Sequence, residues 1–366
     1  MNQSRAYRIV LYLAITFLLV TAYKAVTSGI SDAGPFFVAG MIFLSISFRG
    51  IPALKGLAFT VFILSVTITA LYYPWLFLEW NGFETAVLIT PLIQLIMFGT
   101  GCSMGIKDFV ELSRAPKSVI IGVIAQYTIM PVLGFILARL IGFEDEIAAG
   151  LILLGCAPTS VTASLFSYLA KANVALAITV TSITTLIAPV LIPLLMRLFA
   201  GGYIEIDVLG MMWGMVKIVL LPIAAGLIFN KLTSGKAKWL QDIMPYVSMF
   251  GIALIVAIII SAGRESILNI GFLLLMAVFL HNVLGYFFGY WAGKLFKLQE
   301  RDCRTIAIAT GMQNAGMVSG IAKVIGKIAT VGLASAICGP LMGFTASVLA
   351  SFWSNNAPQD EKTESR

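Results

Sequence analysis

Two short polar runs interrupt an otherwise apolar chain. The first is Gly155-Cys156-Ala157-Pro158-Thr159-Ser160-Val161-Thr162-Ala163-Ser164, inside the charge-free stretch 147–170. Pro158 donates no helix hydrogen bond and disfavours helix in the residue before it. The hydroxyls of Thr159, Ser160, Thr162 and Ser164 can satisfy the freed carbonyls or bind a ligand. The second run is Thr310-Gly311-Met312-Gln313-Asn314-Ala315-Gly316, inside 305–322. Adjacent amides between two glycines are costly in lipid and poor for a continuous helix. Each run has a plain structural explanation: a Pro-kinked helix bonded to its own backbone, or interhelical amide bonds with glycines for close packing. The chemical alternative is a pair of broken helices. Their ends aim bare N–H and C=O groups at the membrane midplane, where they can bind anions or cations.

Other polar groups fall within apolar stretches. Gln126 lies in 118–138 and His281-Asn282 in 266–293. Lys217 sits well inside 208–230, a long reach from either membrane surface at about 1.5 Å per helical residue. It is expected to face a wet crevice and attract an anion, or to hold a buried partner. His281 has the pKa range of a proton carrier, but a core His bonded to a carbonyl is the expected role. Most of Thr179, Thr181, Ser182, Thr184 and Thr185 are expected to bond their own helix.

The elements that must hold these residues follow from composition. Of 366 residues, 59% are hydrophobic and only 11% charged, with a mean hydropathy of +0.97. Soluble domains carry about 25% charged residues, so the deficit excludes disorder, nucleic-acid binding and an ordinary cytosolic enzyme. Four scattered Cys and one His offer few metal ligands. Spanning helices need about 20 apolar residues. Ten runs qualify: 56–78, 85–106, 118–138, 147–170, 172–196, 208–230, 243–263, 266–293, 305–322 and 328–359. Two shorter runs, 9–23 and 33–48, are read as two extra helices. All Asp and Glu are expected in loops or tails. With a cytoplasmic N-terminus, seventeen Lys and Arg fall inside and six outside, which gives the orientation. Residues 1–28 are expected to form an uncleaved helix, with a signal peptide as the alternative. Residues 354–366 are expected to form a disordered cytoplasmic tail.

The two polar runs lie five spans apart, so their helices point in opposite directions. Each follows a span with a polar centre and a Leu-Gly-aromatic step, Leu133-Gly134-Phe135 or Leu284-Gly285-Tyr286. Paired discontinuous helices at matching places in two halves are the form of an inverted-repeat transporter.

Residues Gly155–Pro189, GCAPTSVTASLFSYLAKANVALAITVTSITTLIAP, resemble the bile acid:sodium symporter family. So do KSVIIGVIAQYTIMP (Lys117–Pro131), VKIVLLPIAAGLI (Val216–Ile228), LHNVLGYFFG (Leu280–Gly289) and GMQNAG (Gly311–Gly316). The resemblance implies an all-α polytopic membrane protein with a ten-helix inverted-repeat fold. It has a panel and a core domain and two crossing discontinuous helices, here preceded by two additional N-terminal helices. The implied division is 1–50 for the extra helices and 51–353 for the transporter domain, with repeats at about 54–200 and 207–353. The implied activity is transport of organic anions such as bile acids, pantothenate-like acids or small keto acids, with Na+ as coupling ion.

The resemblance carries over residue by residue. Gln126, Met312 and Gln313 stand at second-site sodium positions, with Thr310 where a backbone carbonyl binds. Asn314 faces the substrate cavity in family members. The first-site Ser-Asn pair is Ala163 and Ser164 here, the Ser and Thr of the next helix are Ala177 and Thr181, and the shared Glu is Ala309. Met342 and Gly343 replace the His-Asn pair of the last helix. A dehydrated Na+ wants oxygen ligands and a compensating charge, and no carboxylate lies in a core span. The residues therefore predict a non-enzymatic secondary transporter for a small organic anion, working by alternating access with weakened, single-ion or absent sodium coupling. Alternatives are a sodium-independent facilitator, a proton-coupled transporter, or a non-transporting sensor or scaffold. Substrate-binding candidates are Thr159, Ser160, Thr162, Asn314, Asn282 and Lys217. Ion-binding candidates are Gln126, Ser164, Thr181, Thr310, Met312 and Gln313. The expected partners are that anion and the lipid bilayer, in a bacterial inner membrane.

Overall fold

A computed structural model describes residues 2–51, 57–105, 115–233 and 238–356. Its helices are α1 (Asn2–Thr27), α2 (Ile30–Arg49), α3 (Ala58–Tyr72), α4 (Ile89–Ser103), α5 (Pro116–Ile141), α6 (Asp145–Cys156), α7 (Ala163–Leu169) and α8 (Val174–Ala200). Then come α9 (Val208–Leu232), α10 (Lys238–Ala262), α11 (Arg264–Leu295), α12 (Glu300–Gly311), α13 (Ala315–Val324) and α14 (Leu333–Asn355). Among the described residues, eight helices are long and apolar enough to cross a membrane. The chain is an all-α polytopic membrane protein. The remaining apolar runs become the short α3, the apolar stretch Tyr246–Ala262 of α10, and two helices each split in the middle, α6–α7 and α12–α13.

Local sequence sets the ends. Asn173, Asp207 and Asn314 cap α8, α9 and α13, their side-chain oxygens accepting from the backbone N–H three residues on. Gly142, at φ 73°, closes α5 in the left-handed conformation. Asn81-Gly82, both at positive φ, turn a hairpin between Glu79–Trp80 and Phe83–Glu84. Asp145, Glu146, Glu265, Glu300 and Asp302 occupy first helical turns rather than loops, a correction to the expectation. There the positive end of the helix dipole favours a carboxylate. Helix α14 also runs to Asn355, into the stretch expected as tail. Residues 357–366 lie outside the described residues, as do Lys55, Lys107, Arg114 and Lys236 of the charge count.

The N-terminal helices pack in sequence, α1 on α2 and α2 on α3, with Phe17 set between Phe36 and Phe43. The densest packing surrounds the split helices. Every residue from Ile147 to Cys156 is buried, as is every residue from Asp302 to Gly311. Glycines allow this, because helices in lipid associate through close backbone approach. On α11, a Cβ at Gly285 would lie 2.9 Å from the Cα of Gly311, and one at Gly289 3.0 Å from the Cα of Ala307. A Cβ at Gly101 would overlap the Ile223 carbonyl, and one at Gly226 the Phe98 carbonyl, so α4 and α9 touch backbone to backbone.

Polar ties join element ends that strict alternation assigns to one membrane side. At one end Glu146 pairs with Lys327 and accepts from the Thr330 hydroxyl at 2.5 Å. At the other, the buried Asp302 accepts from Ser118 at 2.6 Å and from the Asn173 amide at 2.9 Å. Arg304 there reaches the carbonyls of Trp353 and Asn356.

Gly226→Ala is expected to force α4 and α9 apart and to cost about 1–3 kcal/mol by overpacking, read as a lower unfolding temperature in detergent. The hydrogen bonds from Lys327 and Thr330 hold the Glu146 carboxyl below the usual carboxylate range. A lowered carboxyl pKa stabilises at neutral pH and ceases to do so as pH falls through it. Wild type should exceed Glu146→Gln by less than about 1 kcal/mol at pH 7, and melting curves should converge in acid.

Candidate functional site

The two helix breaks meet. Pro158 ends α6, leaving Ala157 extended at φ −67°, ψ 155°, and Met312 leaves α12 extended at φ −96°, ψ 108°. The two extended segments pair as a single antiparallel bridge, Thr159 with Gln313. The Ser160 N–H donates to the Met312 carbonyl at 2.8 Å, and the Asn314 N–H to the Pro158 carbonyl at 2.9 Å. Non-helical backbone at membrane depth is tolerated only where protein or a wet cavity satisfies it. Here each break satisfies part of the other. The C-terminal ends of α6 and α12 and the N-terminal ends of α7 and α13 flank this bridge. That brings dipole ends of both signs to the same crossing.

Two side-chain amides close the remaining carbonyls in parallel fashion. Gln126, on α5, donates Nε2 to the Ala157 carbonyl at 2.7 Å and to Gln313 Oε1 at 2.8 Å. Gln313 Nε2 donates to the Thr310 carbonyl at 2.6 Å. Asn282, on α11, donates Nδ2 to the Gly311 carbonyl at 2.8 Å and accepts from the Thr345 hydroxyl at 2.6 Å. Each half-helix thus ends on an amide supplied by the preceding long helix. His281 beside Asn282 bonds the Met130 carbonyl through Nε2 at 3.0 Å, the core role expected for it.

The other candidates separate into two groups. Thr159, Gln126, Thr310, Met312 and Gln313 are fully buried at the crossing, and Asn282 very nearly so. Asn314 caps α13 through Oδ1 at 3.1 Å from the Met317 N–H, while its buried Nδ2 has no hydrogen-bond partner. Thr310 Oγ1 and Thr181 Oγ1 are likewise buried without one, and so is Thr185 Oγ1. Thr181 and Thr185 thereby depart from the expected back-bonding, which Thr179 and Thr184 do show. Ser160 and Thr162 bond each other at 2.9 Å, and Thr162 is exposed. Ser164 is half-buried and bonds back to the Val161 carbonyl.

Lys217 stands apart from the crossing. It lies on a π-helical turn, Val216–Leu220, inside α9, exposed and 5.4 Å over the Trp213 ring. Its carbonyl accepts from Gln94 on α4. Such π-turns within helices recur at functional sites.

Three positions bear on a cation. Ala163, Ala177 and Ala309 are all fully buried, so methyl groups occupy the places where the resemblance puts oxygens. The sequence reading missed Asp302, Asn173 and Thr345. Asn173 before an apolar run has the pattern of a helix cap, whereas nothing local marks the partners of Asp302 or Thr345.

Gln126→Leu leaves the Ala157 carbonyl and Gln313 Oε1 buried without donors, at about 1–3 kcal/mol for each orphaned group. Thermal unfolding should show this loss, and Asn282→Leu should produce a similar one through Gly311.

Comparison with known proteins adds an independent line. Residues 90–270 match the model of the sodium bile acid symporter family. The chain is 36% identical over 314 residues to an uncharacterized sodium-dependent transporter, YocS, of Bacillus subtilis, covering 86% of this chain and 96% of that protein. It is 30% identical to a probable chloroplastic sodium/metabolite cotransporter, BASS1, of Oryza sativa subsp. japonica (84% and 74% covered). The BASS1 protein of Arabidopsis thaliana is 31% identical over 270 residues (73% and 67%). With this similarity running through both breaks and most of the helical bundle, the chain belongs to the sodium bile acid symporter family.

Proposed function

We propose that this protein is a secondary transporter that moves a small organic anion by alternating access. The observation that carries the reading is the back-to-back crossing of two broken helices, with the unpartnered amide of Asn314 at its edge. The names of the relatives, sodium-dependent transporter and sodium/metabolite cotransporter, support it. In this reading residues 54–200 and 207–353 are inverted repeats. The split helices and their long neighbours form a core that rocks against a panel containing α4 and α9. Thr159, Ser160, Thr162, Asn282 and Asn314 are the substrate groups, and Lys217 draws the anion towards them. The chain performs no catalytic step. Its orientation puts both termini on the cytoplasmic side of a bacterial inner membrane, following the Lys and Arg bias.

Sodium coupling is weak and at most single-ion in this proposal. The hydroxyls of Thr181 and Thr310 are unpartnered, and the oxygens of Gln126, Met312 and Gln313 each already accept one hydrogen bond, while a fully buried methyl stands at Ala309. Hydroxyls and carbonyls supply ligands for a hard cation but no compensating charge. Met312 supplies its backbone carbonyl there, which also accepts from Ser160.

Uptake of labelled keto acids and pantothenate into proteoliposomes tests both parts. Uptake that changes little when the sodium gradient is removed, or that moves one Na+ per anion, is expected. A stoichiometry of two Na+ overturns the coupling assignment, and failure to move any organic anion overturns the transport assignment. Asn314→Asp keeps the capping oxygen and removes the unpartnered NH2. It should lower uptake about tenfold or more while the melting temperature stays near wild type.

A further inference from the structure

Two apolar hollows flank one end of α11. The larger, about 620 Å³, lies between α11 and α14 and is lined by residues including Phe279, Tyr286, Tyr290, Phe344, Phe352 and Trp353. The smaller, about 500 Å³, lies on the neighbouring face of α11 against Ile129, Phe288, Trp291, Lys294 and Leu295. Phe287, Phe344 and Phe352 are exposed, so the larger hollow opens outward from the bundle. From Phe279 to Tyr290 is eleven residues, about 16 Å along a helix. That is about half of a 30 Å hydrocarbon core, the depth of one leaflet.

The shallow end is polar and aromatic. Tyr290 and Trp353 stack with ring centroids 6.0 Å apart. Lys294 sits 5.4 Å over Tyr290, and Arg304 5.6 Å over Trp353. Glu300 bonds Lys294 at 2.6 Å, Arg304 at 2.9 Å and the Tyr290 hydroxyl at 2.9 Å. Stacked aromatics with basic neighbours are the usual furniture of the membrane–water interface. Cations exceed acids here. Among the described residues of this segment, Lys294, Lys297, Arg301 and Arg304 outnumber Glu300 and Asp302, and Asp302 is buried against Ser118 and Asn173. Lys297 is exposed, and the buried Arg301 Nε has no hydrogen-bond partner.

We propose that this end of α11 is a binding site for one anionic diacyl phospholipid. One acyl chain fills the hollow between α11 and α14, and the other fills the hollow beside Trp291. The phosphate sits at Lys294, which lines the smaller hollow and lies over the Tyr290 ring of the larger. Two hollows beside one helix, the larger of about leaflet depth, suit two chains joined at a headgroup, and the excess of cations selects a negative one. The deep end of the larger hollow is continuous with the second break. Tyr286 and Thr345 line it, Thr345 bonds Asn282, and Asn282 bonds the Gly311 carbonyl. A chain in the hollow therefore packs against the side chains that brace α12.

The test uses the full-length protein purified in detergent and titrated with palmitoyl-oleoyl phosphatidylglycerol or the matching phosphatidylcholine. Bound lipid is counted by native mass spectrometry, and the melting temperature is followed alongside. Wild type should retain one phosphatidylglycerol in preference to phosphatidylcholine and should melt at a higher temperature with it. Val348→Trp, which fills the larger hollow and displaces about two methylenes of the chain, should weaken retention about tenfold. Lys294→Gln leaves both hollows open and should cut the preference for the anionic lipid about fivefold. Leu140→Trp, at an exposed position elsewhere, should match wild type. Equal retention of both lipids by wild type, or unchanged retention in both Val348→Trp and Lys294→Gln, overturns the proposal. So does a second copy of the chain, rather than lipid, protecting Val348.

Discussion

Hydrocarbon offers no hydrogen bonds, and this structure is organised around that shortage. A break in a spanning helix frees N–H and C=O groups that water cannot reach. Two such breaks, placed back to back, satisfy one another through the Thr159–Gln313 bridge and the Ser160–Met312 and Asn314–Pro158 backbone bonds. The amides of Gln126 and Asn282 then close the ends of α6 and α12. Buried helices, glycine contacts and polar ties at either end all serve to hold these two elements in register. What stays unsatisfied, the Asn314 amide and the hydroxyls of Thr181 and Thr310, is therefore conspicuous.

Much of this was legible in the sequence, for a physical reason. Charge is too costly within a bilayer to appear by accident, so the gaps between charges outline the spans. The run 118–138 grows by two and three residues at its ends into α5, and the bounds of 172–196 shift by two and four residues into α8. Pro158 marked the first break because its effect on the backbone is local. Gln313 and Asn314 marked the second because amides in lipid need partners. Partner choice was not legible. Gln126 meets Gln313 across 187 residues, and Ser118 meets Asp302 across 184. Nothing in either neighbourhood encodes the other. The acidic residues were misplaced for a related reason: a carboxylate in a first helical turn and one in a loop look the same when only hydropathy is considered.

The sodium question shows the limit of family membership as an argument. Sequence similarity places the chain in the family, but ligand chemistry is decided one side chain at a time. Ala163, Ala177 and Ala309 are small, buried and well packed. Their methyl groups offer no electron pair.

The polar ties at the two ends of the split helices carry a mechanical consequence. Glu146 joins the start of α6 to the loop after α13, while Asp302 joins the start of α12 to the turn before α8. Together with the central bridge, they fasten the two split elements to each other at three levels through the membrane. Such a triply fastened pair has little freedom to bend at its breaks. The weak points in the middle of these helices are then not hinges. Under the alternating access proposed above, displacement would then fall on other seams, and both breaks would move together as one block.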